Sequence, residues 1–356
     1  MAISTTAKNR IRLGSPEDLL AATPYLLGYH PSDSIAFLGL AAGDVKVTGR
    51  YDLSDDDGTR DPARLVENLA RQGVDSVLLL GYGPPGRVTV DMDILRDALA
   101  QAALPVREAL RVTDGRYWSY LCPSGECCPV EGTAFDLGGE RVSAAMIFAG
   151  LQALPSREEV VALIEPCPPE DRVLVRAALA EKSASLASEL LGTRDTTARW
   201  DGWRDEGVML LRRVVGELRA GGRLPDVEDI AALCLMLCHD RIRDEAWALV
   251  DEHEPEALVP LWIRLVRHAE PEHVPVTASL LSYAAWRAGN GALSRIAVER
   301  ALEAQPDYRL ALMLTDVLNA ALPPTLLPPI TREWIAETYA EGAGDAACEE
   351  VRDVPA

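Results

Sequence analysis

The sequence reads as an α/β domain built on a mixed sheet, followed by an all-α, tetratricopeptide-like (TPR-like) helical region, and three observations support this. Up to about residue 140, short apolar or alternating runs interleave with amphipathic stretches, the pattern of a sheet layered against helices. From Arg141 onward strand signals vanish, and prolines such as Pro155, Pro166, Pro225, Pro255, Pro271 and Pro306 punctuate helical periodicity. The length of 356 residues suits more than one domain. The expected divisions are 1–140 for the α/β domain with its cysteine-rich loop, 141–222 for a helical connecting region, 223–340 for helical hairpins, and 341–356 for a flexible tail.

In chain order, Ser15–Tyr29 opens with an N-cap serine, a proline at the first helical position and acids in the first turn, so it reads as a helix. Pro24 falls inside it. Ser34–Leu40 is a buried-strand run, and after Gly43-Asp44 the segment Val45–Leu53 alternates, which together predict a hairpin. Asp61 caps a helix to Gln72, and Ser76–Leu80 is a second apolar strand ending in a loop, Gly81–Arg87. Asp91–Ala103 is amphipathic, and Val106–Leu121 holds two extended runs hinged at Asp114-Gly115, a two-residue hairpin turn. Later, Glu170–Leu191 is a longer helix. Counting back from Pro306 places Leu281, Ser282, Ala285, Ser294, Val298 and Ala301 where a 34-residue helical repeat needs large and small packing residues, with Gly289-Asn290 as its turn.

Thirty-five basic against 55 acidic residues give a net charge of −20, a field that opposes nucleic acid and anionic membrane and suits a basic protein partner. The deficit is −6 over residues 1–150 and −14 over 151–356. The first 13 residues are polar and basic without a secretory core, and no apolar run approaches bilayer length, so a cytoplasmic protein is expected. Seven cysteines, four of them scattered, argue against a secreted disulfide framework.

The candidate site residues lie in the first half. Cys122, Cys127 and Cys128 fall within seven positions and leave three readings open: a metal site completed by a distant ligand such as His30, a disulfide of Cys122 with one of the pair, or a reduced structural loop. Trp118 and Tyr120 share one strand face and suit either a pocket wall or a sheet cover. His30 and Asp33 hold residue types of hydrolytic chemistry, but neighbours on one turn do not form a triad; helix capping and turn fixing are their structural alternatives. Tyr82 and Arg87 follow an apolar strand, where open α/β sheets bind ligands. Arg87 suits an anion, although no phosphate-loop fingerprint exists. Arg50 and Asp52 are spaced for an ion pair more than for acid/base work.

The chain resembles the domain-of-unknown-function 4192 family of actinobacteria. The matching words are Ser15-Pro16-Glu17-Asp18-Leu19-Leu20, Pro24-Tyr25-Leu26-Leu27-Gly28-Tyr29-His30-Pro31, Arg50-Tyr51-Asp52-Leu53, Leu79-Leu80-Gly81-Tyr82-Gly83, Trp118-Ser119-Tyr120-Leu121-Cys122 with Cys127-Cys128-Pro129, and Ala284-Ala285-Trp286-Arg287-Ala288-Gly289. The resemblance spans most of the chain and implies no activity, cofactor or catalytic residue. Two functional expectations therefore stand. The first is a protein-interaction or scaffold module working through an acidic helical-repeat surface. The second is a small-molecule sensor or enzyme, thiol- or metal-linked, with a pocket at the sheet edge.

Overall fold

The computed structural model describes residues 2–6, 9–54, 62–124, 128–136 and 141–340. Asp61, Cys127 and the expected tail 341–356 lie outside the described residues. The chain divides into two compact units, the first ending at Val160.

The first unit comprises β1 (Ala2–Thr6), β2 (Asn9–Arg12), α1 (Pro16–Leu27), β3 (Ser34–Ala41), β4 (Asp44–Asp52), α2 (Ala63–Arg71), β5 (Ser76–Tyr82), α3 (Pro85–Gln101), β6 (Val106–Thr113), β7 (Arg116–Ser119), β8 (Thr133–Ala134) and α4 (Arg141–Phe148), and ends within α5 (Arg157–Ala162). The described strands form one mixed sheet in the order β2-β1-β4-β3-β5-β6-β7-β8. β3 pairs antiparallel with both β4 and β5, whereas β5 runs parallel to β6. β3 and β5 read as near-continuous apolar runs because both faces of the sheet are covered there.

One face carries Ile35, Phe37, Val77, Leu79 and Ala109 against Val66 and Leu69 of α2 and Val88, Met92, Leu95 and Leu99 of α3. Gly81 makes this approach feasible, since a Cβ there would stand 2.3 Å from a Val88 methyl. α1 covers the other face, and α4 packs on α1. The Ser15–Asp18 capping box starts α1, and left-handed Gly28 ends it.

Both hairpins form. Asp114 and Gly115 each have positive φ, as a type I′ turn requires, and the β3–β4 turn lies at Ala42-Gly43, one residue earlier than expected. Two local expectations need correction. The segment Gly81–Arg87 is not a loop: β5 continues to Tyr82 and α3 begins at Pro85, six residues before Asp91. The prolines that suggest a break instead occupy the first helical turn, where a missing amide costs nothing. The basic N-terminal stretch, for which no element was expected, contributes the β1–β2 ladder. The carboxyl end of α1 is capped by Gly28, not by His30.

The second unit is helical: α6 (Pro169–Gly192), α7 (Thr196–Gly221), α8 (Val227–Met236), α9 (Asp240–Glu252), α10 (Pro255–His268), α11 (Val274–Arg287), α12 (Gly291–Ala304), α13 (Arg309–Asn319) and α14 (Arg332–Ala340). α11 is buried along most of its length. α11 and α12 pack closely because the side chains at their crossing are small: Ser282 and Ser294 are fully buried with their hydroxyls 3.1 Å apart, and Ala285 and Ala301 are fully buried as well. Asn290 caps α12 by accepting from Leu293 N–H at 3.0 Å. Among the described residues, no helix is long and apolar enough to cross a membrane.

Candidate functional site

Strand register decides which of the candidate residues meet. Ser34 pairs with both Asp52 and Tyr82, so the start of β3 and the ends of β4 and β5 share one rim of the sheet. Asp33, Asp52, Tyr82 and Arg87 all reach that rim. Asp33, held at φ 41°, turns the chain into β3, and its carboxylate accepts from Arg87 at 3.3 Å. Arg87 also donates to the Ser54 carbonyl at 3.4 Å.

Arg50 and Asp52 project from the same face of β4 and form an ion pair. Tyr29 completes it, its hydroxyl 3.4 Å from Arg50. Burial alone would lower the Arg50 pKa, but the Tyr29 hydroxyl and the Asp52 carboxylate outweigh it and raise the value. On this face Tyr82 is aimed at α1. Burial pushes its phenol up, and the Thr23 hydroxyl works against that rise. Thr23 donates to the Leu19 carbonyl at 2.7 Å, and the Tyr82 hydroxyl makes no well-aligned hydrogen bond among the described residues. His30 has an exposed side chain, and its backbone N–H donates to the Leu154 carbonyl at 2.9 Å.

Trp118 and Tyr120 do not join this group. Trp118 pairs with Arg111 across β6–β7, and Arg111 pairs with Gly81, which places the indole on the α3 face. The Arg111 guanidinium stacks 3.9 Å from the Trp118 ring centre, and the indole N–H donates to the Val130 carbonyl at 2.9 Å. Gly132, at φ 78°, lies under the indole so closely that a Cβ would stand 2.5 Å from the ring. The Tyr120 hydroxyl is 2.8 Å from the Thr89 hydroxyl of α3. The Trp118 ring ties Val130 and Gly132 to the sheet, and the Tyr120 ring ties the end of the strand to α3.

In that loop the Ser119 hydroxyl accepts from the Cys122 N–H at 3.2 Å, and the Cys122 and Cys128 sulfurs are not bonded to each other. With Cys127 outside the described residues, the third sulfur is not placed. Among the described residues, no three His, Cys, Asp or Glu side chains are grouped to hold a metal ion.

The sequence reading missed Asp91 and Ser54. Asp91 is a 2 % exposed carboxylate on α3 that accepts both the Ser54 N–H and the Ser54 hydroxyl at 2.7 Å. A signal was present: Asp91 stands three residues after Val88 and one before Met92, hence an acid on the buried stripe of its helix. The rim therefore carries polar pairs on two faces of a sheet, Asp33–Arg87, Arg50–Asp52 and Ser54–Asp91, beside the buried Tyr82 hydroxyl. In the helical unit an open hollow of about 340 Å³ is lined by Gly216, Arg219, Ala220, Glu254 and Ala257.

Comparison with known proteins gives one match. No curated protein and no solved structure is matched by the chain. A family model described as a domain of unknown function, DUF4192, matches residues 16–325, which take in the β3–β5 rim, the cysteine loop and the helices through α13. The chain belongs to the DUF4192 family.

Proposed function

We propose that the protein is a cytoplasmic recognition module that binds a protein partner through its helical unit. One observation carries this reading. From α9 to α13 each helix packs on the next, and α11 also packs on α9 and α13, the near-neighbour ladder of helical-repeat proteins, which bind partners on extended surfaces. The charge of −14 over residues 151–356 favours a basic partner.

The test compares proteins retained from source cells by the full chain and by its Glu254→Lys/Glu256→Lys variant, at low and high salt. A discrete partner held near equal stoichiometry, released by salt and lost from the variant, supports the reading. Equal recovery from both chains contradicts it.

A second reading, a small-molecule sensor or enzyme at the sheet rim, is favoured by the meeting of Asp33, Ser54, Arg87 and buried Asp91 beyond the carboxyl end of β5, where α/β sheets bind ligands. A thermal-shift screen of anionic metabolites against the wild type and Arg87→Ala tests it. A stabilising ligand that loses its effect in the variant supports this reading, and no stabilisation by any compound counts against it.

A further inference from the structure

Residues 322–330, Leu-Pro-Pro-Thr-Leu-Leu-Pro-Pro-Ile, follow α13 and are held almost entirely by their backbone. The Trp286 indole N–H donates to the Leu322 carbonyl at 3.0 Å. The Arg287 guanidinium donates to the carbonyls of Pro324 at 2.7 Å, Leu327 at 3.1 Å and Pro328 at 3.2 Å. Asp251 accepts the Ile330 N–H at 2.7 Å. Meanwhile Leu326 and Leu327 remain 61 % and 37 % exposed. A segment recruited to complete a core would bury such side chains, whereas this one presents its main chain to three fixed side chains and leaves Leu326 and Leu327 in solvent, with Leu322 half-buried.

The receiving face is preorganised. Asp251 is 4 % exposed and binds Arg287 Nε at 2.8 Å, while the Tyr283 hydroxyl donates to Asp251 at 2.7 Å. Trp247 stacks on Tyr283 at 4.6 Å and an interplanar angle of 9°, and Arg287 lies 5.2 Å from the ring centres of both Tyr283 and Trp286. Hydrogen-bond donors held by aromatic rings and aimed at carbonyls suit the main chain of a proline-rich segment, whose prolines keep their carbonyls and whose fixed φ angles reduce the entropy lost on docking. Pro323 and Leu327 have extended backbones flanking a single tight turn. Beyond the segment, Arg332 pairs with Glu252 at 2.5 Å and the Tyr339 hydroxyl donates to Asp244 at 2.7 Å, so α14 latches the segment onto α9.

We infer that the α9–α11 face formed by Asp251, Tyr283, Trp286 and Arg287 is a main-chain-reading site for a partner's proline-rich segment folded around one tight turn, and that residues 322–330 occupy it in cis as a tethered internal ligand. This rests on the recognition reading above and names the partner's chemistry. Tethering gives the internal segment an effective concentration of about millimolar, so a trans segment competes only when the latch opens.

The test uses full-length chains and a fluorescein-labelled synthetic peptide with the sequence of residues 321–331, followed by fluorescence anisotropy. Arg332→Glu/Tyr339→Phe opens the latch by setting like charges against Glu252 and removing the hydroxyl bond. Adding Arg287→Lys keeps a positive charge beside Asp251 but loses the planar fork. The opened chain is expected to bind the peptide about tenfold or more tightly than the wild type. Binding should fall back in the Arg287→Lys background and for a peptide with alanine at every proline. Equal binding by wild-type and opened chains, or retention of binding with Arg287→Lys, overturns the inference. If the peptide fails while the Glu254→Lys/Glu256→Lys variant still loses its partner, the recognition reading stands and this site assignment falls.

Discussion

The two units differ in how deeply they bury their most enclosed ion pairs. In the α/β unit, ion pairs sit at the rim and remain partly in water: Arg50 and Asp52 have side chains 23 % and 43 % exposed, and Arg87 and Asp33 44 % and 62 %. In the helical unit, local pairs such as Arg204–Asp201 and Arg223–Asp226 are just as solvated, but two pairs draw a carboxylate inward and join helices distant in sequence: Asp251 to Arg287, and a Glu245 that is 6 % exposed to Arg212. A sheet covered on both faces is held by apolar burial at about 25 cal/mol per Å² and needs no internal ions. A buried pair is no better for stability than a well-packed apolar one. Its retention in the helical stack therefore points to a use other than stability, and the backbone segment gripped by Arg287 supplies that use.

The largest expected effect sharpens this contrast. Asp251→Ala leaves the Arg287 guanidinium buried without its counter-charge and should cost about 3–5 kcal/mol in urea unfolding followed by tryptophan fluorescence. Next is Asp91→Ala, the exception within the α/β unit, which removes the acceptor of two Ser54 donors and should cost about 1.5–3 kcal/mol in the same assay. Third, Ser282→Ala strands the buried Ser294 hydroxyl and should cost about 1–3 kcal/mol, whereas Ser282→Ala/Ser294→Ala should cost less than the two single changes added together. Near zero, Arg50→Ala should cost at most about 1 kcal/mol because its pair is solvated. An Arg50 loss as large as that of Asp251 would break the comparison.

Acid should also separate the units. Burial lowers the pKa values of His253, His268 and His273 from the ordinary 6.5, and all three lie in the helical unit. The unfolded chain then binds protons more readily than the folded one, so stability is full above about pH 6.5 and is lost as the pH falls through that value toward the lowered folded ones. Six of the seven tryptophans follow residue 160, so urea melts read by their fluorescence report mainly on this unit. Their midpoint should be lower at pH 5.5 than at pH 7.5. A midpoint unchanged between the two would contradict the assignment.

Legibility in the sequence followed sequence separation. β3 and β5 were readable because burial on both faces leaves an unbroken apolar run, and Asp114-Gly115 because few residue pairs tolerate two positive φ angles. The Arg50–Asp52 pair was readable from its two-residue spacing along one strand face. The β1–β2 ladder was not, since short polar strands show little alternation. α7 was not set apart within the 141–222 connecting region; its Gly207 is there because a Cβ would stand 2.5 Å from an Ile242 methyl of α9. The Ser54–Asp91 and Asp251–Arg287 contacts, 37 and 36 residues apart, arise from tertiary packing that no local pattern encodes.

The central claim is that recognition resides in the helical stack and not at the sheet rim. Site-specific photo-crosslinking tests it most directly, with a benzophenone amino acid replacing either Met313 on α13 or Val90 on α3, both exposed, in full-length chains expressed in source cells. The account predicts a discrete protein adduct from the Met313 position and none from Val90. An adduct from Val90 alone would contradict it.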